Sequence, residues 1–149
     1  MPQSLAQIYV HLVFSTKGRE SWVAEMIQPG LYAYLAGTLN AIACPVLCVG
    51  GMPDHVHVLF RLARTVALSD AVKAVKVESS KWMKEEGGVG EFAWQGGYGA
   101  FSVSASQVEA VTHYIRNQEQ HHTGRSFQEE FRKLLDVYQI EYNEAYVWD

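Results

Sequence analysis

Two strand-like segments joined by a tight turn lie near the middle of the chain. The segments Pro45–Val49 and His55–Leu62 are rich in apolar and β-branched residues, and the residues Gly-Gly-Met-Pro-Asp separate them. Glycine and proline in so short a connection are typical of a turn. The two segments are therefore predicted to pair as a β-hairpin. Such a hairpin would make the two strands antiparallel neighbours in a sheet.

The remaining elements alternate around this hairpin. Apolar residues at helical spacing follow Pro29, and a second amphipathic pattern begins at Leu68. Short segments rich in β-branched and aromatic residues predict two further strands. In chain order, these predictions are a strand at Ile8–Ser15, a helix carrying Leu31, Leu35, Leu39 and Ile42, a helix at Leu68–Glu86 and a strand at Phe101–Ser104.

Two capping signatures predict helices near the C-terminus. Ser106 with Glu109, and Ser126 with Glu129, both match the pattern in which a serine caps a helix and a glutamate follows three residues later. The first helix would run to about His121, and the second would span Phe127–Tyr138. The aromatic residues of the tail EYNEAYVWD are expected to pack onto the domain.

Up to the helix that follows Ser106, the resulting order is β-α-β-β-α-β-α, with a central hairpin. It favours an α+β fold of ferredoxin-like or RRM-like type, in which an antiparallel sheet has helices on one face. The helix predicted after Ser106 follows a glycine-rich joint, at Gly87-Gly88-Val89-Gly90 and Gly96-Gly97. We expect residues 1–149 to form one domain, since that length suits one core better than two.

Composition narrows the functional class. The sequence has no apolar run of the roughly 18 residues that a membrane span needs, and its first residues do not resemble a signal peptide. The two cysteines, Cys44 and Cys48, provide no disulfide framework, so a cytoplasmic location with reduced thiols is expected. The net charge of −4 argues against non-specific binding to duplex DNA, which depends on neutralising phosphates.

The first candidate site is the pair His55 and His57. On a strand, alternate side chains share a face, so both imidazoles project together and could bind one metal ion. Val56, Val58 and Phe60 would then face a core on the other side of the strand. The alternative is an exposed strand face that carries two polar residues without a ligand.

The second candidate site lies on the helix predicted after Ser106. Tyr114 and Gln118 are four residues apart, so they lie one above the other on one helix face. A tyrosine phenol can attack phosphorus and form a covalent intermediate. Its ordinary pKa near 10 means that a neighbouring metal or base must activate it. The alternative is a tyrosine that only fills space, because the chain has 8 tyrosines.

Two further patterns are compatible with contacts to nucleic acid. One face of the Leu68–Glu86 helix carries four lysines, which could follow a phosphate backbone or could be an ordinary solvated face. The segment Phe92–Phe101 mixes aromatic residues with glycines. It could stack on unpaired bases, or its own rings could pin it as a loop. The four lysines are Lys73, Lys76, Lys81 and Lys84.

A structural zinc site is a competing role for the histidines. Cys44 and Cys48 precede His55 and His57, but the spacing C-x3-C-x6-H-x-H is not one of the usual zinc patterns. Both cysteines fit better as small core residues.

With these motifs in place, the chain resembles the TnpA-type transposases of small insertion sequences and their REP-associated relatives. These are single-tyrosine members of the HUH nuclease superfamily. The resemblance extends over nearly the whole chain, through VHLVFSTKGRE, GGMPDHVHVLF, FAWQGGYGAFSVS, YIRNQEQHH, SFQEEFRKLL and the terminal YVWD. The joint occurrence of these segments in order is more specific than any one of them.

The resemblance implies a role for each candidate residue. His55 and His57 would be the metal-binding pair, Gln118 the third ligand and Tyr114 the nucleophile. It also implies Mg²⁺ or Mn²⁺ as the metal and a homodimer as the assembly, and it favours exchange of the tyrosine helix between the two chains. Lys17 and Arg19, in the basic turn after the first strand, would contact DNA together with the four lysines.

The expected function is that of a metal-dependent DNA transposase. It would cleave and rejoin single-stranded DNA at element ends marked by hairpins, through a 5′-phosphotyrosine intermediate. The alternative is a domesticated protein that binds single-stranded hairpins and has lost cleavage.

Overall fold

The computed structural model describes residues 1–121 and 124–149; for His121 it describes the backbone alone. Four strands form one sheet: β1 (Ile8–Ser15), β2 (Val46–Met52), β3 (His55–Leu62) and β4 (Gly99–Val103). Their order is β2-β3-β1-β4, and every neighbouring pair is antiparallel. The predicted hairpin is confirmed, since Met52 lies opposite His55 where β2 turns into β3.

Five α-helices accompany the sheet in the described part of the chain. They are α1 (Gln28–Ala41), α2 (Leu68–Glu85), α3 (Val108–Arg116), α4 (Gln118–His121) and α5 (Phe127–Val137). The predicted α+β architecture is confirmed. None of the described helices is both long enough and apolar enough to cross a bilayer.

One face of the sheet packs against α1 and α2. Val10, Leu12 and Phe14 of β1 point to this side, and so do the apolar residues that alternate along β3. The leucines predicted at helical spacing in α1 are all completely buried here. This layer is the main apolar core, and it follows the period-2 and period-3.6 patterns of the sequence.

The opposite face is covered by α3 and α5, so the prediction that helices lie on one face alone is wrong. The apolar stripes of these two helices are buried against that second face. A small cluster around Ile115 holds α3 against β2 and β3. A second cluster, in which Phe127, Phe131 and Trp148 participate, holds α5 and the chain's tail against β1 and β4. The expectation that the tail packs onto the domain is thus confirmed.

Two glycines set how closely these helices approach the sheet. A Cβ atom at Gly50 of β2 would lie 2.5 Å from the backbone oxygen of Ile115 in α3. A Cβ atom at Gly99 of β4 would lie 2.5 Å from the ring of Phe131 in α5. Any larger residue would push α3 or α5 outward, so these glycines position the two helices that complete the candidate site.

One predicted helix start is confirmed, and another is wrong. Ser126 caps α5 by accepting a hydrogen bond from the backbone N–H of Glu129. Ser106, in contrast, lies inside a short 3₁₀ turn and its hydroxyl contacts Ser104, while Gln107 precedes α3 without a side-chain cap. The helix predicted to continue to His121 is also interrupted at Asn117, where α3 ends and α4 follows.

Candidate active site

The two histidines of β3 lie on the sheet face covered by α3 and α5. Both side chains are completely buried, so the alternative of an exposed polar strand face is wrong. Val56, Val58 and Phe60 point into the main core, as the strand alternation predicted. Because buried polar groups need partners, what surrounds the imidazoles determines what they can do.

Each histidine is held through its Nδ1 atom. His55 Nδ1 lies 2.7 Å from a carboxylate oxygen of Asp54, and His57 Nδ1 lies 2.8 Å from Nε2 of His11. Metal-binding histidines commonly use the second ring nitrogen in this way, which fixes the ring orientation. The two Nε2 atoms therefore point into a common space between the sheet and the helices.

A buried carboxylate, Glu130 of α5, lies in that space. Its Oε1 atom is 3.1 Å from Nε2 of His57 and 3.3 Å from Nε2 of His55. These three ligand atoms all lie within 4.8 Å of one another, as in a site that could hold a metal ion. Glu130 is outside the set of residues that sequence reasoning selected.

Gln118 also reaches this cluster, as the family resemblance implied. Its side-chain oxygen lies 3.0 Å from Nε2 of His55, and its amide nitrogen donates to Oε2 of Glu130 at 2.9 Å. Gln118 is almost fully buried at 2% exposure. The donor set is thus two imidazole nitrogens, one carboxylate oxygen and one amide oxygen. This donor set, which contains no thiolate, could hold a divalent metal ion.

Tyr114 lies at the edge of the same cluster. Its hydroxyl donates a hydrogen bond to Oε2 of Glu130, the second oxygen of the carboxylate that faces the histidines. Its ring meets the rings of His57 and His11 edge-on, with centroids 5.9 and 6.3 Å away. Burial raises the pKa of Tyr114, and the negative charge of Glu130 raises it further. The phenol therefore carries its proton at neutral pH and points it at a carboxylate.

The two buried histidines that flank His57 differ in charge. Burial is the largest influence on both, and it lowers the pKa of His11 to about 3. At His55 the effect of burial is outweighed by hydrogen bonds and charges from Asp54 and Glu130, which raise its pKa to about 9. At neutral pH His11 is neutral and can accept a hydrogen bond from His57, while His55 is an imidazolium. A divalent cation bound here would displace that imidazolium proton.

Glu130 and His11 were missed, although each left a weak signal in the sequence. Glu130 occupies a position on the apolar face of α5, between Phe127 and Leu134 in the 3.6-residue period. His11 occupies a position in β1 whose neighbours two residues away, Tyr9 and Val13, share its face. A carboxylate or imidazole on a face that packs inward needs a partner. The sequence does not reveal which partner that is.

The four predicted DNA-binding lysines belong to α2, which packs on the face of the sheet opposite this cluster. Lys17 and Arg19 instead follow the end of β1 that pairs with His55. Lys73, Lys81 and Lys84 are exposed on α2, as Lys17 is after β1. The ammonium group of Lys76 instead donates to the backbone oxygens of Gln95, Gly96 and Gly97, at 2.6, 3.3 and 2.9 Å. Arg19 bonds the backbone oxygen of Trp148 at 3.4 Å and lies over its ring. Lys76 and Arg19 thus secure the loop and the tail.

The glycine-rich aromatic segment is mainly structural. Phe92 and Trp94 are buried in the main core, and the indole N–H of Trp94 donates to Ser79 at 2.9 Å. Tyr98 is the more exposed ring of this segment, at 39%. The interpretation of a loop pinned by its own side chains therefore holds for Phe92 and Trp94. The cysteines are also explained, since Cys44 lies in the main core and Cys48 packs beneath α3.

Comparisons with known proteins found a family model and relatives that match this chain. The family model described as "Transposase IS200 like" matches residues 4–118. The ISDra2 transposase TnpA of Deinococcus radiodurans is 29% identical over 119 residues, which cover 75% of this chain and 84% of that protein. The family match includes β3 and α3 and ends at Gln118, before α5.

Two solved structures share the fold. A crystal structure of a transposase candidate from Deinococcus radiodurans R1 aligns with a TM-score of 0.63 at 24% identity, over 79% of this chain and 98% of that chain. The REP-associated tyrosine transposase bound to a REP hairpin aligns with a TM-score of 0.61 at 12% identity, over 83% of this chain and 73% of that one. The chain therefore belongs to the IS200-like transposase family.

Proposed function

We propose that this transposase cleaves and rejoins single-stranded DNA through Tyr114, with His55, His57, Gln118 and Glu130 holding a divalent metal ion. The observation that carries the proposal is the position of Glu130, whose two oxygens face the histidines on one side and the Tyr114 hydroxyl on the other. One carboxylate thus links the candidate nucleophile to the candidate metal ligands.

The proposed reaction exchanges one phosphodiester for another. The Tyr114 oxygen attacks phosphorus, the bond from phosphorus to the 3′ oxygen breaks, and the strand keeps its 5′-phosphate as a phosphotyrosine. Glu130 accepts the phenolic proton along the existing hydrogen bond, and the departing 3′ oxygen takes a proton from water. A bound Mg²⁺ or Mn²⁺ would stabilise the charge that develops on the phosphate. Attack by another 3′-hydroxyl reverses the step, so no nucleotide cofactor is needed.

The proposed DNA partner is a single strand that carries a hairpin near the ends of a mobile element. The resemblance of this sequence to hairpin-processing transposases supports this partner, and one structural neighbour is bound to a REP hairpin. The acidic net charge of −4 means that a local basic surface must supply the electrostatic attraction.

A homodimer is part of the proposal because the resemblance implies one. In this structure the Tyr114 ring lies 5.9 Å from the ring of His57 in the same chain, an arrangement that would act in cis. Light scattering at micromolar concentration tests the assembly, and a monomer would count against it. Mixing His57→Ala with Tyr114→Phe tests exchange, since only a shared site restores cleavage.

Tyr114→Phe provides the central test. The substitution removes one oxygen and keeps the ring, so packing should change little. We expect cleavage of a single-stranded hairpin oligonucleotide, and the covalent adduct seen by denaturing gel electrophoresis, to disappear. Binding of Mn²⁺ should persist, because the four proposed ligands remain. Tyr98→Phe, a partly exposed tyrosine outside the cluster, is the matched control and should cleave normally.

Two results would contradict the proposal. An adduct that maps to a different tyrosine would remove Tyr114 from the chemistry. A wild-type protein that binds hairpins but never forms an adduct, with Mg²⁺ or Mn²⁺ present, would instead support the domesticated binding protein.

A further inference from the structure

A small cavity opens beside the Tyr114 hydroxyl. Its volume is about 190 Å³, and its walls are formed by α3 on one side and α5 on the other. His11, Tyr114 and Glu130 form the end of the cavity nearest the candidate site. This volume is below the roughly 300–1,000 Å³ of pockets that hold drug-sized ligands. It therefore suits a single ring system.

The cavity wall is apolar where a ring could lie. Val111 of α3 faces Leu134 and Val137 of α5 across it, and Tyr138 follows at the end of α5. The ring of Tyr138 is held in place, because its hydroxyl donates to the backbone oxygen of Ser102 at 3.0 Å and it packs on Phe101 at 4.8 Å. A fixed aromatic ring beside aliphatic side chains provides a flat apolar surface.

The same cavity has two cationic side chains. Arg125 and Lys133 line it, one just before α5 and the other on the stripe of α5 that also carries Glu130 and Val137. Lys133 is exposed and Arg125 half-buried. The charge of Arg125 also acts on the Tyr114 phenol. Two cations beside an apolar pocket, in a chain of net charge −4, match a ligand that combines a ring with an anion.

We propose that this cavity binds one of the two nucleotides that flank the scissile phosphate, with its base against the apolar wall and its phosphate facing Arg125 and Lys133. The proposal rests on the proposed function and extends it, since it adds a nucleotide-binding site beside the nucleophile. It also explains why the segment from Arg125 through α5, which lies beyond the family match, carries two residues suited to phosphate. Base stacking on side chains tolerates different bases, so the site would select a nucleotide rather than a sequence.

The first test separates the base from the backbone. Full-length protein in chelator-treated buffer is titrated with fluorescein-labelled dT8 and with an octamer of abasic units, and binding is followed by anisotropy. We expect the wild type to prefer dT8 by about tenfold or more, as for one stacked base. Val137→Trp, at a position 66% exposed, should fill the cavity and remove most of that preference. Ile8→Trp, at an exposed position on β1, is the matched control and should keep it.

The second test concerns the phosphate. The double substitution Arg125→Gln and Lys133→Gln should weaken binding of dT8. It should also reduce the slope of log Kd against log salt by about 0.7 for each phosphate that the variant no longer neutralises. Arg64→Gln, an exposed arginine after β3, should leave the slope unchanged. Both glutamine positions are at least partly exposed, so this variant should fold even if Val137→Trp does not.

These tests distinguish the proposed nucleotide-binding site from the proposed cleavage reaction. If Val137→Trp retains the preference for dT8, or the double glutamine variant retains the salt slope, the nucleotide site is wrong. The nucleotide site is wrong in that case even when the wild type forms its Tyr114 adduct. If both variants lose binding as expected but no strand ever yields an adduct, the nucleotide-binding site is supported and the proposed cleavage is contradicted.

Discussion

The two faces of this sheet are built from the same strands but are used differently. On β3, Val56, Val58 and Phe60 enter a core that α1 and α2 cover with apolar side chains. The alternate residues, His55 and His57, enter a layer where a carboxylate and an amide contact them and the Tyr114 ring packs against His57. Both faces are fully buried from His55 to Phe60. Burial alone therefore does not distinguish a structural face from a functional one. The polar partners of the buried side chains make that distinction.

The largest expected effect is on the functional face. His57→Ala should abolish binding of Mn²⁺ and reduce cleavage about a thousandfold or more, since a metal provides several kcal/mol of transition-state stabilisation. It should also cost about 1–3 kcal/mol of stability, because His11 and Glu130 lose a buried partner. Calorimetric titration with Mn²⁺ and urea unfolding measure the two effects. Undiminished Mn²⁺ affinity would show that His57 is structural.

Phe60→Ala, three residues away on the other face, should have the opposite profile. Phe60 is completely buried, and truncating such a ring costs about 3–5 kcal/mol. Mn²⁺ affinity should remain close to that of the wild type at temperatures where the variant is folded. A variant that loses metal affinity while its urea midpoint is unchanged would contradict the division between the faces.

The stability of the metal-free protein should depend on pH on both sides of neutrality, because the functional face contains two histidines with shifted pKa values. His55 has a folded pKa of about 9, against about 6.5 unfolded. Its stabilising contribution is complete below pH 6.5 and is lost as pH rises through 9. His11 has a folded pKa of about 3, so it destabilises the fold as pH falls below 6.5. Urea unfolding in chelator should therefore show greatest stability near pH 6.5.

We expect a change on the order of 2 kcal/mol on each side of that maximum. Asp54→Asn removes the charge that bonds His55 and should flatten the alkaline side. Asp70→Asn, on the exposed surface of α2, is the control and should leave the profile intact. Stability that does not change between pH 6.5 and 9 would show that His55 holds no extra proton.

The sequence allows the structural face to be predicted far better than the functional one. The alternation on β3 and the leucine spacing of α1 are local patterns. The strand and the helix that they predicted are both confirmed. The pairing of His55 with Gln118 was expected only through a family resemblance, and Glu130 was missed, because 73 residues separate it from His57. Local patterns indicate which side chains turn inward. Which of these side chains contact one another depends on how α3 and α5 pack on the sheet. Gly50 and Gly99 set how closely the two helices approach it.

The smallest expected effect concerns the solvent-exposed side of α2. Lys73, Lys81 and Lys84 are exposed on the outer side of α2. Lys76 is different, since three backbone oxygens bind its ammonium group and burial lowers its pKa to about 8. Replacing the three exposed lysines with glutamine should weaken single-strand binding about two- to tenfold and reduce its salt slope.

Lys76→Gln, measured separately, tests whether the Lys76 ammonium group stabilises the fold or attracts DNA. It should loosen the loop at residues 95–97 and lower stability by about 1–3 kcal/mol, because the partly buried carbonyls of Gln95 and Gly97 lose their donor. Its effect on the salt slope should be small, since the ammonium group is already bound. If the triple variant binds hairpin DNA with an unchanged slope, this surface is only solvated. The electrostatic attraction must then come from the basic residues beside the site, Arg125 and Lys133 among them.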